Sequence, residues 1–122
     1  MIAMWKSVFP EDPPHNEPSA VIDQKLAVDD LIFVIDDAGR IAGGCMAGYD
    51  GHRGWLYAVA VEADYRRKGA GTLLVKTAFQ ELKKIGCTKV NIQIRADNTA
   101  VARFYESLGF NAEDRLSMGV HI

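Results

Sequence analysis

Apolar positions follow two rhythms along this chain. Leu31-Ile32-Phe33-Val34-Ile35 is a short continuous apolar run that predicts a strand. Asp36-Asp37-Ala38-Gly39 reads as a turn, and Arg40 to Tyr49 as the return strand. Gly43-Gly44 within it predicts a bulge or a close backbone approach. Asp50 to Gly54 reads as a second turn. Trp55 to Val61 is apolar throughout, which predicts a strand buried on both faces. The period then changes. Leu74, Ala78, Leu82 and Ile85 form one stripe of a helix over 71–85, with Lys83 and Lys84 in its last turn and Gly86 at its C-cap. Lys89 to Arg95 alternates again as a strand. Asn98 is placed to cap a helix ending near Leu108, with Gly109 beyond, and a last strand is expected through Arg115 to His121.

The N-terminal region reads differently. Residues 10–18 hold all four prolines and predict an extended loop, with a short helix or strand over 2–9 before it. Ser19 is then expected to cap a helix to about Val28, whose apolar positions Ala20, Val21, Ile22, Leu26, Ala27 and Val28 form an imperfect stripe. The strand–helix–strand order favours a parallel pair joined by a crossover within a mixed sheet.

Composition narrows the function classes. The 122 residues suit one domain, 48% of them hydrophobic and 25% charged. A net charge of −2 gives no reason to expect nucleic acid as a bulk partner. No apolar run approaches the roughly 20 residues needed to span a bilayer, and no signal-peptide pattern opens the chain, so a cytoplasmic location without membrane contact is expected. Cys45 and Cys87 lack partners at metal-ligand spacing. Both are expected as reduced core residues, and no metal is expected.

Candidate chemistry gathers after the third strand. Val59-Ala60-Val61 leads into Arg66-Arg67-Lys68-Gly69-Ala70-Gly71-Thr72, with glycines where strand gives way to helix. Orphan N–H groups at a helix start, glycines that allow close approach, and flanking cations together make a phosphate pocket. It is neither a Walker loop nor a clean dinucleotide fingerprint, because Leu74 stands at the third glycine position. Alone, the stretch is better read as a glycine-softened turn with solvated charges. A second cluster strengthens the functional reading: Asn98 and Tyr105 lie seven residues apart, on one face of the last helix, before Gly109-Phe110.

With Arg66, Gly69 and Gly71 matching Arg/Gln-x-x-Gly-x-Gly/Ala, and Asn98 to Phe110 resembling Asn-x-x-Ala-x-x-x-Tyr-x-x-x-Gly-Phe, the sequence resembles the GNAT superfamily of N-acetyltransferases. Val101 replaces the usual alanine. Gly48 to Gly54 (GYDGHRG) also looks like the YpeA-like branch. The resemblance implies an α+β fold: a central mixed, mostly antiparallel sheet with a splayed parallel strand pair, flanked by helices on both faces. It implies one domain over 1–122 with a shortened N-terminal region. It implies acetyl-CoA as co-substrate, an amine acceptor, and room for a homodimer. The cofactor arm would bond the backbone near Val59, Ala60 and Val61, and the pyrophosphate would meet Arg66, Arg67, Lys68, Gly69, Ala70, Gly71 and Thr72. Asn98 would contact the arm. Tyr105 would place its phenol beside the thioester sulfur as general acid, a role a phenol of pKa about 10 can fill at neutral pH.

The amine must also lose a proton. Ribosomal-protein alanine acetyltransferases carry a glutamate where this chain has Gln93, which cannot act as a base. Glu62, Asp50, His52 and Tyr57 are the other candidates, and no base is assigned. A non-catalytic acyl-CoA-binding module and a nucleotide-binding protein are the alternatives.

Overall fold

The computed structural model describes residues 18–66 and 69–122. The expectations for residues 2–17, and for Arg67 and Lys68, lie outside the described residues. The chain divides into two compact units, residues 1–91 and 92–122.

The first unit holds helix α1 (Pro18–Val28), strands β1 (Ile32–Asp37), β2 (Arg40–Tyr49) and β3 (Gly54–Val61), and helix α2 (Ala70–Lys84). Strand β4 (Val90–Ile92) begins at its end. The sheet order is β1-β2-β3-β4: the first three strands pair antiparallel, and the α2 crossover makes β3 and β4 parallel. The Gly54 N–H donates to the Lys89 carbonyl at 2.9 Å, where β4 joins the foot of β3. This is the mixed sheet that the sequence resemblance implies.

The β1–β2 connection is a two-residue hairpin. Ala38 (φ 52°) and Gly39 (φ 90°) both adopt positive φ, as a type I′ turn requires, and Asp37 faces Arg40 across it. The Asp36 carboxylate accepts from the Gly39 N–H at 2.8 Å.

The fully covered strand is β2, not β3. Residues 42–47 are all buried, whereas β3 buries Gly54, Leu56 and Ala60 and leaves Tyr57 42% exposed. Successive β2 side chains point to opposite faces. On one face Leu74 of α2 approaches Gly43; on the other, Lys25 of α1 reaches Gly48. A Cβ built on Gly43 would lie 3.1 Å from the Ala60 carbonyl oxygen and 3.3 Å from Leu74 Cδ1. Glycine there lets helix and neighbouring strand close onto β2, the close approach the Gly-Gly pair predicts. Leu74, Val75, Ala78 and Leu82 of α2 complete this core, while Ile85, the last residue of the expected stripe, is 52% exposed as the C-cap.

Helix α1 departs from its expected stripe. Leu26 and Val28 are exposed, and the buried position is taken by Lys25. Val21, Ile22 and Lys25 follow the three-to-four spacing of one helical face. The Lys25 ammonium donates to the Ala47 carbonyl, pairs with Asp29 at 2.7 Å, and lies 5.6 Å from the Tyr57 ring centroid. A cation leaves water only when so partnered. Burial acts to raise the Asp29 pKa, but bonds from Lys25 and the Leu31 N–H outweigh it, and the carboxyl stays below its usual range. Ser19 lies inside the helix, which starts at Pro18, so it is not the cap; proline suits a first turn whose N–H groups have no helical acceptor.

In the second unit helix α3 (Thr99–Ser107) matches its expected span. The strand expected over 89–95 is confined to Val90–Ile92, and no strand forms over 115–121. Leu116, Met118, Val120 and Ile122 alternate as a strand would, yet all are exposed. Alternation marks side chains that could share a covered face; it supplies no partner for the backbone.

Candidate functional site

In the first unit the chemistry-bearing segment begins at an irregularity in β3. Tyr57 pairs with Met46, and Ala60 with Gly44, so Ala58 and Val59 together oppose Cys45 alone. The extra residue is a bulge, and Ala58 sits at φ 54°, a conformation alanine rarely adopts. A bulge interrupts the ladder and frees a backbone group for another partner. Val59 and Val61 are half-buried here and Ala60 is buried.

Past Val61 the chain turns through a 3-10 segment, Ala63–Tyr65. The Arg66 Nε donates to the Val61 carbonyl at 3.1 Å, tying the loop to the end of β3. That structural bond was not legible in the signature, where Arg66 reads as a phosphate ligand. Gly69 then caps α2 at φ 81°. A Cβ placed on Gly69 would meet nothing within 4 Å. Gly69 has no side chain to cap the helix, so the first-turn amides of Ala70, Gly71 and Thr72 have no cap oxygen from it. This fits an anion bound on backbone N–H groups at the positive end of the helix dipole.

In the second unit the Asn98 side chain accepts from the Val101 N–H at 3.3 Å, the expected N-cap. Tyr105 is buried. Its placement follows from how α3 ends. Gly109 adopts φ 98°, the Phe110 N–H reaches back to the Tyr105 carbonyl at 3.1 Å, and the Gly109 N–H reaches Glu106 at 3.0 Å. This is a Schellman closure, whose usual apolar contact joins the residue after the glycine to the one five positions earlier. Those residues are Phe110 and Tyr105, edge to face at 5.4 Å, and Phe104 stands against Tyr105 at 5.0 Å. The spacing Tyr-x-x-x-Gly-Phe is therefore a device that fixes the tyrosine ring. Helix α2 closes the same way through Gly86 and Cys87.

The base candidates are occupied otherwise. Glu62 accepts two bonds from the Arg40 guanidinium, at 2.5 and 3.1 Å. Asp50 accepts the N–H groups of Arg53 and His52, which hold its carboxyl below the usual range and make it a poor base. The His52 Nδ1 lies 3.3 Å from Arg53 Nη1. In the second unit Gln93 donates to the Ser117 hydroxyl at 2.6 Å. Within the Gly48–Gly54 stretch Asp50 builds the turn and Gly54 lies against Cys87, while a Cβ on Gly48 would meet the Tyr57 hydroxyl at an ordinary contact distance of 3.6 Å.

Both cysteines are free and buried, and burial pushes the Cys45 thiol up to about 12. Among the described residues no group of His, Cys, Asp or Glu is arranged to hold a metal ion. No described helix is long and apolar enough to cross a membrane.

Similarity to known proteins agrees with this geometry. A structure of AAC(6')-Iy with a CoA-S-monomethyl-acetylneamine bisubstrate analogue superposes with a TM-score of 0.81, covering 98% of this chain and 88% of that one; at 19% identity it speaks for the fold alone. The ribosomal-protein-S18-alanine N-acetyltransferase of Escherichia coli gives a TM-score of 0.76 at 27% identity, over 90% of this chain and 68% of that one. An acetyltransferase of Sodalis glossinidius (strain morsitans) is 41% identical over 102 residues, 83% of this chain and 72% of the relative. The sequence pattern of the Acetyltransferase (GNAT) family matches residues 1–110, and with these relatives it establishes that the chain belongs to the GNAT family of acyltransferases.

Proposed function

We propose that this chain moves an acetyl group from acetyl-CoA to an amine by direct attack, within one catalytic domain formed by the whole chain. The observation that carries the reading is the pairing, within one unit, of the Ala58–Val59 bulge with an uncapped helix start at Gly69. At the bulge a strand N–H polarises the thioester carbonyl. The helix start and its cations receive the pyrophosphate, with Val59, Ala60 and Val61 bonding the arm between. Asn98 contacts the arm. Tyr105 gives its proton, or a hydrogen bond, to the departing CoA thiolate.

In this scheme the neutral amine attacks the carbonyl carbon, the C–S bond breaks, and the sulfur leaves as a thiol once protonated. The amine loses its proton to water, because no carboxylate stands ready at Gln93. The ribosomal-protein-S18-alanine N-acetyltransferase among the structural relatives suggests the amine of a protein alanine as one acceptor class.

The test is release of free CoA thiol from acetyl-CoA with a panel of N-terminal peptides, polyamines and aminoglycosides. Amine-dependent release with a mass gain of one acetyl group on the acceptor is expected. Tight acetyl-CoA binding with no turnover on any amine would instead identify an acyl-CoA-binding module.

A further inference from the structure

The loop that carries the helix start is held from outside the signature. Two residues of the β1–β2 hairpin grip it. Arg40 makes its paired bonds to Glu62, lies 3.6 Å from Asp64, and places its guanidinium 5.4 Å from the centre of the Tyr65 ring. Asp37 accepts from the Tyr65 hydroxyl at 2.7 Å. The Glu62 N–H donates to the Ala42 carbonyl at 2.8 Å, and the Tyr65 N–H closes back on Glu62 at 2.9 Å. Asp37 and Arg40 face each other across a turn whose backbone allows little play. Segment 62–66 is thereby fixed on both flanks, immediately before the glycine-rich start of α2.

We propose that Arg40, Glu62, Tyr65 and Asp37 form a bracket that positions the phosphate-binding loop, making them positioning residues for acetyl-CoA. This rests on the functional reading above. Three features support it. Exposed ion pairs add little to global stability, so a bonded group of this kind at the loop has mainly local consequences. A helix start binds an anion well only when its amides are already aimed, and ordering them on binding weakens affinity. Arg40 also balances Glu62 and Asp64, two carboxylates that would otherwise oppose a polyphosphate.

The experiment uses the intact chain. Acetyl-CoA binding is measured by calorimetry, and hydrogen exchange is followed in the peptide spanning 62–72, for wild type, Arg40→Gln, Tyr65→Phe, Asp37→Ala and Asp37→Asn. Tyr65→Phe removes no charge and keeps the ring, so it separates aim from electrostatics. Arg40→Gln and Tyr65→Phe are each expected to weaken binding about three- to tenfold, with faster exchange in that peptide and unchanged exchange in β2. Asp37→Asn keeps an acceptor oxygen and should stay near wild type, whereas Asp37→Ala should follow Tyr65→Phe. In turnover the effect should appear in KM, with kcat retained. Variants that bind like wild type overturn the inference and leave the acetyltransferase reading standing. A wild type that does not bind acetyl-CoA overturns both.

Discussion

Gly54 offers a test of the packing beneath the sheet. It is buried at the start of β3, where its N–H bonds Lys89 and its α-carbon faces Cys87. A Cβ added there would stand 2.6 Å from Cys87 Sγ and 3.4 Å from Leu82 Cδ1 and Val90 Cγ2. Only the sulfur contact is impossible; carbon atoms pack best at about 3.5–4.0 Å, so the other two need only small shifts. Cys87 Sγ can turn away only by giving up its own bond, because the thiol donates to the Lys89 carbonyl at 3.3 Å, and the backbone that carries it is held by the N–H bond to Leu82 at 3.0 Å. Gly54→Ala should therefore cost about 1–3 kcal/mol, the usual range for overpacking. With an unfolding entropy of about 2.1 cal/mol/K per residue, 1 kcal/mol corresponds to about 4 °C, so Tm should drop by about 4–12 °C. Cys87→Ala alone loses a small buried side chain and should cost about 1 kcal/mol. In the double variant the alanine methyl occupies the space the sulfur left. The double-mutant cycle, measured by urea denaturation, should show the pair less destabilised than the sum by about 1 kcal/mol or more. Additivity within about 0.5 kcal/mol would refute the clash as the cause.

Other expectations concern binding, turnover and pH. Gly71→Val should weaken acetyl-CoA binding at least about tenfold while Tm holds, because side-chain bulk would enter the space where phosphate meets the helix start; unchanged affinity by calorimetry removes the loop from the site. Acetyl-CoA affinity should fall as salt rises, since Arg66, Arg67 and Lys68 are proposed to face its phosphates, and a flat profile would mark them as solvated surface. Tyr105→Phe keeps the ring against Phe104 and Phe110, so it should lower kcat by about 10²–10⁴ with acetyl-CoA affinity little changed; near-normal kcat, on an acceptor for which chemistry limits the rate, overturns the acid role. The Cys45 thiol is raised from 9.0 to about 12 by burial, so its contribution is complete below pH 9 and is lost as pH rises toward 12. Wild type should lose stability over that window by up to about 1.4 kcal/mol per pH unit more than Cys45→Ala, and parallel declines would show that Cys45 does not titrate there.

Legibility from sequence tracked how local the cause was. The span of β2, the turn at Asp36–Gly39, and the closures at Gly86 and Gly109 were legible because glycines and polar turn residues act within a few positions. Asn98 as cap follows from its own side chain. Lys25 was not legible as a buried residue, since its partners on β2 and β3 are more than twenty positions away. The bulge at Ala58 was hidden because alanine carries no mark of positive φ, where a glycine would have raised the question. Trp55–Val61 therefore read as an evenly buried strand. The C-terminal alternation predicts a strand, but a strand needs a second backbone to pair with, and no strand forms over 115–121. For Arg66 the motif was visible but its bond to Val61 was not, because a signature records which residues recur and not which atoms they hold.

The extra residue in β3 also sets how this protein tolerates changes of length. Residues 54–57 and 60–61 obey the alternation separately, with Ala58–Val59 as the joint between them. Deleting one residue at that joint would leave a single residue opposite Cys45 and close the bulge with both halves still in register, whereas a residue added or removed elsewhere in β3 would shift one half by one and turn it over. Substitutions across β3 act one position at a time, whereas a single insertion or deletion outside the joint acts on the whole strand end that leads into the loop. Among homologues aligned to this chain, gaps should thus collect in the turns at 38–39 and 51–53 and avoid 54–57 and 60–61. Where the bulge is kept, variation in size at the joint should come from exchanging Ala58 for glycine or asparagine, residues that accept its backbone, with the residue count kept constant.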